Sequence, residues 1–188
     1  MRVITGEARG KKLYALSGED ITRPTTDMVK EAIFSIIQFE VAGAYVLDLF
    51  AGSGQLGVEA VSRGAKGCVF VDSSREAVEI VKKNISACGF QDRCKVINGD
   101  AFSFVNTAAE RFDIALLDPP YHQGTLEKVL PLLDRHINEG GTVVCEHEKG
   151  LQLAEEYGSL KKYRTYKYGK IALTVYKTAA LSDGGDSE

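Results

Sequence analysis

Three kinds of residue in this chain are spaced for chemistry on a nucleoside. Gly52, Gly54 and Gly57 stand at the spacing G-x-G-x-x-G, between an apolar run ending at Leu49 and a helix-like segment. Glycines there let a strand turn sharply into a helix and let a ligand approach the backbone. Asp72 follows about 20 positions on, at the end of the next apolar run, where an acid can accept from ribose hydroxyls. Alone, these features suit any adenosine-containing ligand. Asp48 narrows the choice, because it lies directly before the loop, where a pyrophosphate has to approach the helix N-terminus. Two like charges about 4 Å apart cost roughly 4 kcal/mol at an effective dielectric of 20. S-adenosylmethionine carries no phosphate there; its ammonium and sulfonium suit a carboxylate at the loop mouth and the carbonyls of the turn. Asp48, Gly52 and Gly54 are therefore expected at its methionine end, Asp72 at its ribose, and Asp100 at its adenine amino group. For Asp100 a second reading stays open, that of a helix N-cap before Ala101.

The run Asp118, Pro119, Pro120, Tyr121 directly follows the apolar stretch Ile114 to Leu117. Two successive prolines hold the chain extended and remove two amide donors, so the carbonyls around Asp118 and Pro119 are left as acceptors. An amino group on a planar base is a poor nucleophile, because its lone pair is delocalised into the ring. If the Asp118 carboxylate and the Pro119 carbonyl each take one of its hydrogens, the nitrogen can pyramidalise while Tyr121 stacks on the base. A proline turn with an exposed tyrosine is the plain alternative.

These residues need elements to hold them. Pro24 and the cluster Thr25, Thr26, Asp27 start a helix whose Val29, Ile33, Ile36 and Ile37 share one face. From Tyr45 the pattern becomes strand, loop, helix, repeated. Strands are read at YVLDLF, GCVFVD, CKVING, FDIALLD and GTVVCE, and a final antiparallel pair runs from about Leu160 to Tyr168 and from Ile171 to Tyr176. Helices are read from Leu56 to Arg63, from about Ser74 to Cys88 with Ser73 and Glu76 as its capping box and Gly89 as its stop, near Ala101 to Ala109, and around Leu126 to His136. The unbroken run Ile114 to Leu117 suits a parallel strand covered on both faces. Alternating strands and helices imply an open, mostly parallel α/β sheet, whose ligands sit beyond the strand carboxyl ends. Asp48, Asp72, Asp100 and Asp118 all fall at or just after such ends.

The 188 residues, 44% of them hydrophobic, suit one domain with a small appendage. The formal charge is −3, but it is unevenly spread: Lys161, Lys162, Arg164, Lys167, Lys170 and Lys177 face no acid within their own segment, and Arg2, Arg9, Lys11 and Lys12 face only Glu7. The C-terminal basic segment, with Tyr163, Tyr166 and Tyr168 interleaved, suits either an RNA surface or lysine-protected edge strands. Cys68, Cys88, Cys94 and Cys145 lack any zinc-ligand spacing and read as reduced thiols of a cytoplasmic protein. No metal, no membrane partner and a monomer are expected. The opening MRVITGEARGKKL has no apolar leader core.

DLFAGSG, VD, NGDA and LDPPY, in that order, resemble the motifs of class I S-adenosylmethionine-dependent N-methyltransferases. With MRVITGEARGKKL and RPTTDMVKEAIFSII added, nearly the whole chain resembles the RsmD family of bacterial 16S rRNA guanine-N2 methyltransferases, the type acting at guanine 966. The resemblance implies a Rossmann-like class I fold, with a mostly parallel seven-stranded sheet, an antiparallel C-terminal strand and a small N-terminal hairpin and helix extension. It implies an extension over 1–40, a methyltransferase domain over 41–178 and a disordered tail over 179–188. It further implies S-adenosyl-L-methionine as cofactor, held by Thr26, Asp48, Phe50, Gly52, Gly54, Asp72, Ser73, Asp100 and Ala101. Asp118, Pro119, Pro120 and Tyr121 would be catalytic, and Arg2, Arg9, Lys11, Lys12 and Arg23 would contact rRNA of the 30S subunit. Adenine-N6 methylation of DNA shares DPPY, but the chain has no spare length for a target-recognition domain. A glutamine-N5 protein methyltransferase would resemble Asn at position 118. A nicotinamide-dependent oxidoreductase leaves Asp48 and DPPY unexplained, and a silent RNA-binding module would transfer no methyl group. Thermal shift separates the cofactor readings: S-adenosylhomocysteine at about 100 times its Kd should stabilise the protein by roughly 2.7 kcal/mol, and NAD should not.

Overall fold

The computed structural model describes residues 1–16, 24–121 and 124–180; Arg23 and positions 181–188 of the expected tail lie outside the described residues. Among the described residues five α-helices and eight strands follow in the order α1 (Pro24–Ile36), β1 (Tyr45–Leu49), α2 (Gln55–Ser62), β2 (Gly67–Asp72), α3 (Arg75–Cys88), β3 (Cys94–Asn98), α4 (Ala101–Thr107), β4 (Phe112–Leu117), α5 (Thr125–Leu133), β5 (Ile137–Glu148), β6 (Glu156–Tyr157), β7 (Leu160–Tyr168) and β8 (Ile171–Lys177). They form one sheet in the order β3-β2-β1-β4-β5-β8-β7-β6. The first five strands in that order are parallel, and β8 pairs antiparallel with β5. The sheet thus has eight strands rather than seven. The extra one is the two-residue β6, whose pairing with the start of β7 is too short to leave a periodic trace.

Side chains alternate between two apolar layers, which is why the central strands carry no polar face. Val46, Ile114 and Leu116 join Val29, Ile33 and Phe34 of α1 and Val81 of α3 on one side. Leu47, Leu49, Ala115 and Leu117 join Phe104, Leu126 and Val129 of α4 and α5 on the other. β1 lies between β2 and β4, so chain order reverses at the β1–β4 junction. A crevice opens beyond the strand carboxyl ends at such a switch point.

Cap chemistry differs from expectation by one residue at α3. Ser74, not Ser73, is the N-cap: its Oγ accepts from Ala77 N at 3.3 Å, and Ser73 lies one step earlier in the turn. Gly89 closes this helix in the left-handed region with φ 75°.

The N-terminal segment folds back on itself with a single bridge pair, Arg2 with Lys12, supported by Val3 N to Lys11 O and Gly10 N to Val3 O, both 2.9 Å. Gly6 and Gly10 take positive φ, 91° and 81°, which interrupts the extended backbone between the bridge residues. Val3 and Leu13 belong to the same apolar layer as α1. A buried ionic cluster anchors it. Glu59 on α2, 0% exposed, accepts from Ile4 N at 2.8 Å and Thr5 N at 3.0 Å, pairs with Arg63 Nε at 2.8 Å, and faces Lys30 Nζ at 3.8 Å. Lys30, 1% exposed, donates to Arg2 O at 2.7 Å; burial lowers its pKa, and Glu59 opposes that. Removing one partner of such a pair leaves a buried charge alone. Glu59→Ala should cost about 3–5 kcal/mol in urea unfolding, and adding Lys30→Met should recover part of the loss.

Candidate active site

The crevice at the switch point is a cavity of about 420 Å³. It gathers Asp48, Phe50, Gly52, Asp72, Ser73, Asp100, Ala101, Asp118, Pro119, Pro120 and Tyr121, residues far apart in sequence. The strand ends bring them together, because β1, β2 and β4 stop at one edge.

The glycine loop owes its shape to two carboxylates. Asp48, 2% exposed on β1, accepts from Gly57 N in α2 at 2.8 Å. Asp72, ending β2, accepts from Gly52 N at 2.8 Å through Oδ2 and from Ser74 N at 2.8 Å through Oδ1. Gly52 and Gly54 take φ of 54° and 73°, a region side-chain-bearing residues avoid. Gly57 serves packing: a Cβ there would lie 2.7 Å from Cys68 Sγ and overlap the Phe70 ring. Gly54 does not line the cavity, in contrast to expectation. It turns back to cap α2, and Val81 and Phe70 stand against its Cα.

Phe50 is the one non-glycine residue with positive φ, 75°, among the described residues. Such a conformation costs about 1–3 kcal/mol. Two bonds hold it, Phe50 N and Ala51 N both donating to Val71 O, at 3.1 and 3.0 Å.

Asp48 is more enclosed than a guard at a loop mouth. Burial raises its carboxyl from the usual range to about 7, opposed by the Gly57 N–H and aided by Asp72. Both readings of Asp100 stay compatible with the geometry. It is the N-cap of α4, Oδ2 accepting from Ser103 N at 2.9 Å, and it also lines the cavity.

At the far end of the cavity Pro119 is buried, and Asp118, Pro120 and Tyr121 are exposed. The Tyr121 hydroxyl donates to Glu146 Oε1 at 3.2 Å. Burial first, then Glu146 and Asp118, push the phenol pKa upward, so Tyr121 stays protonated.

Several wall residues carried no sequence signal. Gln55 fills a variable position of the glycine motif, yet its Oε1 is buried without a hydrogen-bond partner among the described residues, and the residue lines the cavity. Ser53 and Gly99 line it too. Asn84, fully buried on α3, links the cavity to the N-terminal segment: Oδ1 accepts from Tyr14 N at 2.7 Å, and Nδ2 donates to Tyr14 O at 3.0 Å and Ser53 O at 2.8 Å. The Ser53 hydroxyl also reaches Met1 Sδ at 3.6 Å. Arg2, Arg9, Lys11 and Lys12 are exposed on this segment; Thr26 is in the first turn of α1, its side chain outside the described residues. Among the described residues no group of three or more His, Cys, Asp or Glu is placed to hold a metal, and no helix is long and apolar enough to cross a membrane.

The sheet order and the cavity at its switch point define a Rossmann-like, class I methyltransferase fold. Residues 1–177 match the family described as Conserved hypothetical protein 95. The chain is 41% identical over 182 residues to YlbH of Bacillus subtilis (strain 168), covering 94% of this chain and 98% of that one. It is 31% identical over 185 residues to ribosomal RNA small subunit methyltransferase D of Escherichia coli (strain K12), covering 97% and 92%. The structure of yhhF from Escherichia coli superposes with a TM-score of 0.85 at 31% identity, over 96% of this chain and 98% of that chain. An RNA methyltransferase from Salinibacter ruber in complex with S-adenosyl-L-homocysteine shares the fold, with a TM-score of 0.65 at 17% identity, over 88% and 100%. The chain belongs to the Conserved hypothetical protein 95 family, that of the RsmD-type rRNA methyltransferases.

The raised Asp48 carboxyl has a consequence for the ligand-free protein. Between about 3.9, its unfolded value, and about 7, the folded state holds a proton that the unfolded state has lost, so stability falls as pH rises through that window. Asp48→Asn accepts from Gly57 without a charge. It should raise Tm at pH 8 by several degrees, about 2–4 °C per kcal/mol, and the gain should vanish below pH 4.

Proposed function

We propose that this chain transfers the methyl group of S-adenosyl-L-methionine to the exocyclic N2 of a guanine of 16S rRNA in the small ribosomal subunit. The observation that carries the reading is the single cavity that joins the acids of the glycine loop to Asp118–Tyr121. Its residues fit the cofactor. Asp48, buried beside the loop, suits the methionine ammonium, whose charge would draw its proton off. Asp72 has both oxygens oriented by backbone amides and keeps lone pairs for ribose hydroxyls. Asp100 spends one oxygen on its cap and offers the other to the adenine amine. Phe50, Gly52, Ser73 and Ala101 wall the nucleoside, and Thr26 is assigned to the same site.

When bound, the cofactor supplies an electrophilic methyl on a sulfonium. The protein's task is to present a nitrogen lone pair to it. The Asp118 carboxylate and the Pro119 carbonyl each accept one N–H of the guanine amine, and Tyr121 stacks on the base. The methylated nitrogen then loses one proton to Asp118 or to water, and most of the acceleration comes from alignment. Arg2, Arg9, Lys11 and Lys12 lie exposed on a segment tied to the cofactor loop and are assigned to rRNA phosphates. The relatives' name, ribosomal RNA small subunit methyltransferase D, supports rRNA as substrate.

The test is tritiated methyl transfer to 30S particles, naked 16S rRNA and DNA side by side, with nucleoside analysis. N2-methylguanosine in 16S rRNA is expected, with Asp118→Ala lowering turnover by about 10²-fold or more while S-adenosylhomocysteine affinity is kept. Label in DNA adenine, or an Asp118→Ala enzyme as active as wild type, would overturn it.

A further inference from the structure

Glu146 lies at the carboxyl end of β5, and no cofactor role uses it. Leu117 of β4 pairs with Cys145 of β5, so Asp118 and Glu146 are the next residues in that register, on strands about 4.8 Å apart. The Tyr121 hydroxyl bonds to Glu146 Oε1, and both Glu146 and Asp118 act electrostatically on that phenol. Glu146 is thus held against the tyrosine of the DPPY run. Tyr121 is the hydrogen-bond partner of Glu146 among the described residues, and Glu146 Oε2 makes no hydrogen bond there. A second cavity of about 40 Å³ shares Pro119, Pro120 and Tyr121 with the larger one, and Glu146 lines only this second cavity. Glu127 and Glu148 line it too, and Glu127 Oε2 is buried with no hydrogen-bond partner among the described residues. The wall is thus rich in acceptors and suits a ligand edge made of donors.

Purine bases differ in that respect. Guanine presents its 2-amino group and N1–H side by side, two neighbouring donors. Adenine presents its 6-amino group beside an N1 lone pair, a donor next to an acceptor. The Asp118–Pro119 cradle by itself receives either amine. A carboxylate beside the cradle favours the N1–H of guanine and repels the N1 lone pair of adenine.

We propose that Glu146 reads the N1–H of the target guanine, so that the DPPY cradle activates the amine while Glu146 selects the base. Tyr121 serves both, its ring as stacking surface and its hydroxyl as the tether that aims Glu146. The inference rests on guanine-N2 methylation as proposed above.

The test uses 16S rRNA transcripts, assembled into subunits where needed, carrying 2-aminopurine riboside at the guanine found to be methylated. 2-Aminopurine keeps the 2-amino group but has a lone pair at N1. Wild-type kcat/KM should be about 10–100-fold lower on 2-aminopurine than on guanine, the range for a mispaired polar contact at a charged group. Glu146→Gln can turn its carboxamide NH2 toward N1, so it should narrow or invert that ratio, with Tm and S-adenosylhomocysteine affinity unchanged. Glu146→Ala should lose activity on guanine and discriminate little. The change in ratio between enzymes removes any intrinsic difference in amine reactivity. Equal wild-type rates on the two bases, or a Glu146→Gln enzyme with the wild-type ratio, would overturn the assignment. Wild type that methylates no guanine N2 would instead fail the underlying reading, so the two failures are distinct.

Discussion

The hydrogen bond from Gly57 N to the buried Asp48 carboxylate is the constraint on which the site depends. It ties the end of β1 to the first turn of α2 across the loop, at a buried position. With those ends fixed, the intervening residues must reverse direction in a few steps. That requirement puts Gly52 and Gly54 in the left-handed region and forces Phe50 there as well. Asp72 then pins the crest of the loop through Gly52, so two acids from adjacent parallel strands define one surface. The cost is a desolvated carboxylate, and an enclosed acid short of a counter-charge is what a cationic ligand relieves.

Sheet and helices were largely legible because their physics is local. Unbroken apolar runs announced strands covered on both sides, and Gly89 announced the end of α3. What escaped was too short for periodicity to mark, or turned on a choice between neighbouring residues. β6 exists only because β7 offers it a partner. The cap of α3 shifted to Ser74 because Asp72 is committed to the loop and draws Ser74 N to its other oxygen.

The site divides in the same way. Acids at strand ends were readable, since strand ends and ligand edges coincide in open α/β sheets. The enclosure of Asp48 was not, because burial of one carboxylate depends on how closely α2 lies on β2, which Gly57 sets. Gln55 sits at a variable position of its motif and carries no signal. Glu146 requires the pairing of β4 with β5 to be known before it can be placed beside Asp118. Arg2, Arg9, Lys11 and Lys12 stood out as charge, but their attachment to the glycine loop runs through Asn84, an ordinary helix residue in sequence.

That attachment has an evolutionary side. Asn84 satisfies the amide and the carbonyl of residue 14, both of them backbone groups, and Tyr14 itself is 57% exposed. The join is therefore blind to what residue 14 is, proline excepted. The outward face of the arm is free to drift in sequence, while the splice that seats it beside the glycine loop stays the same.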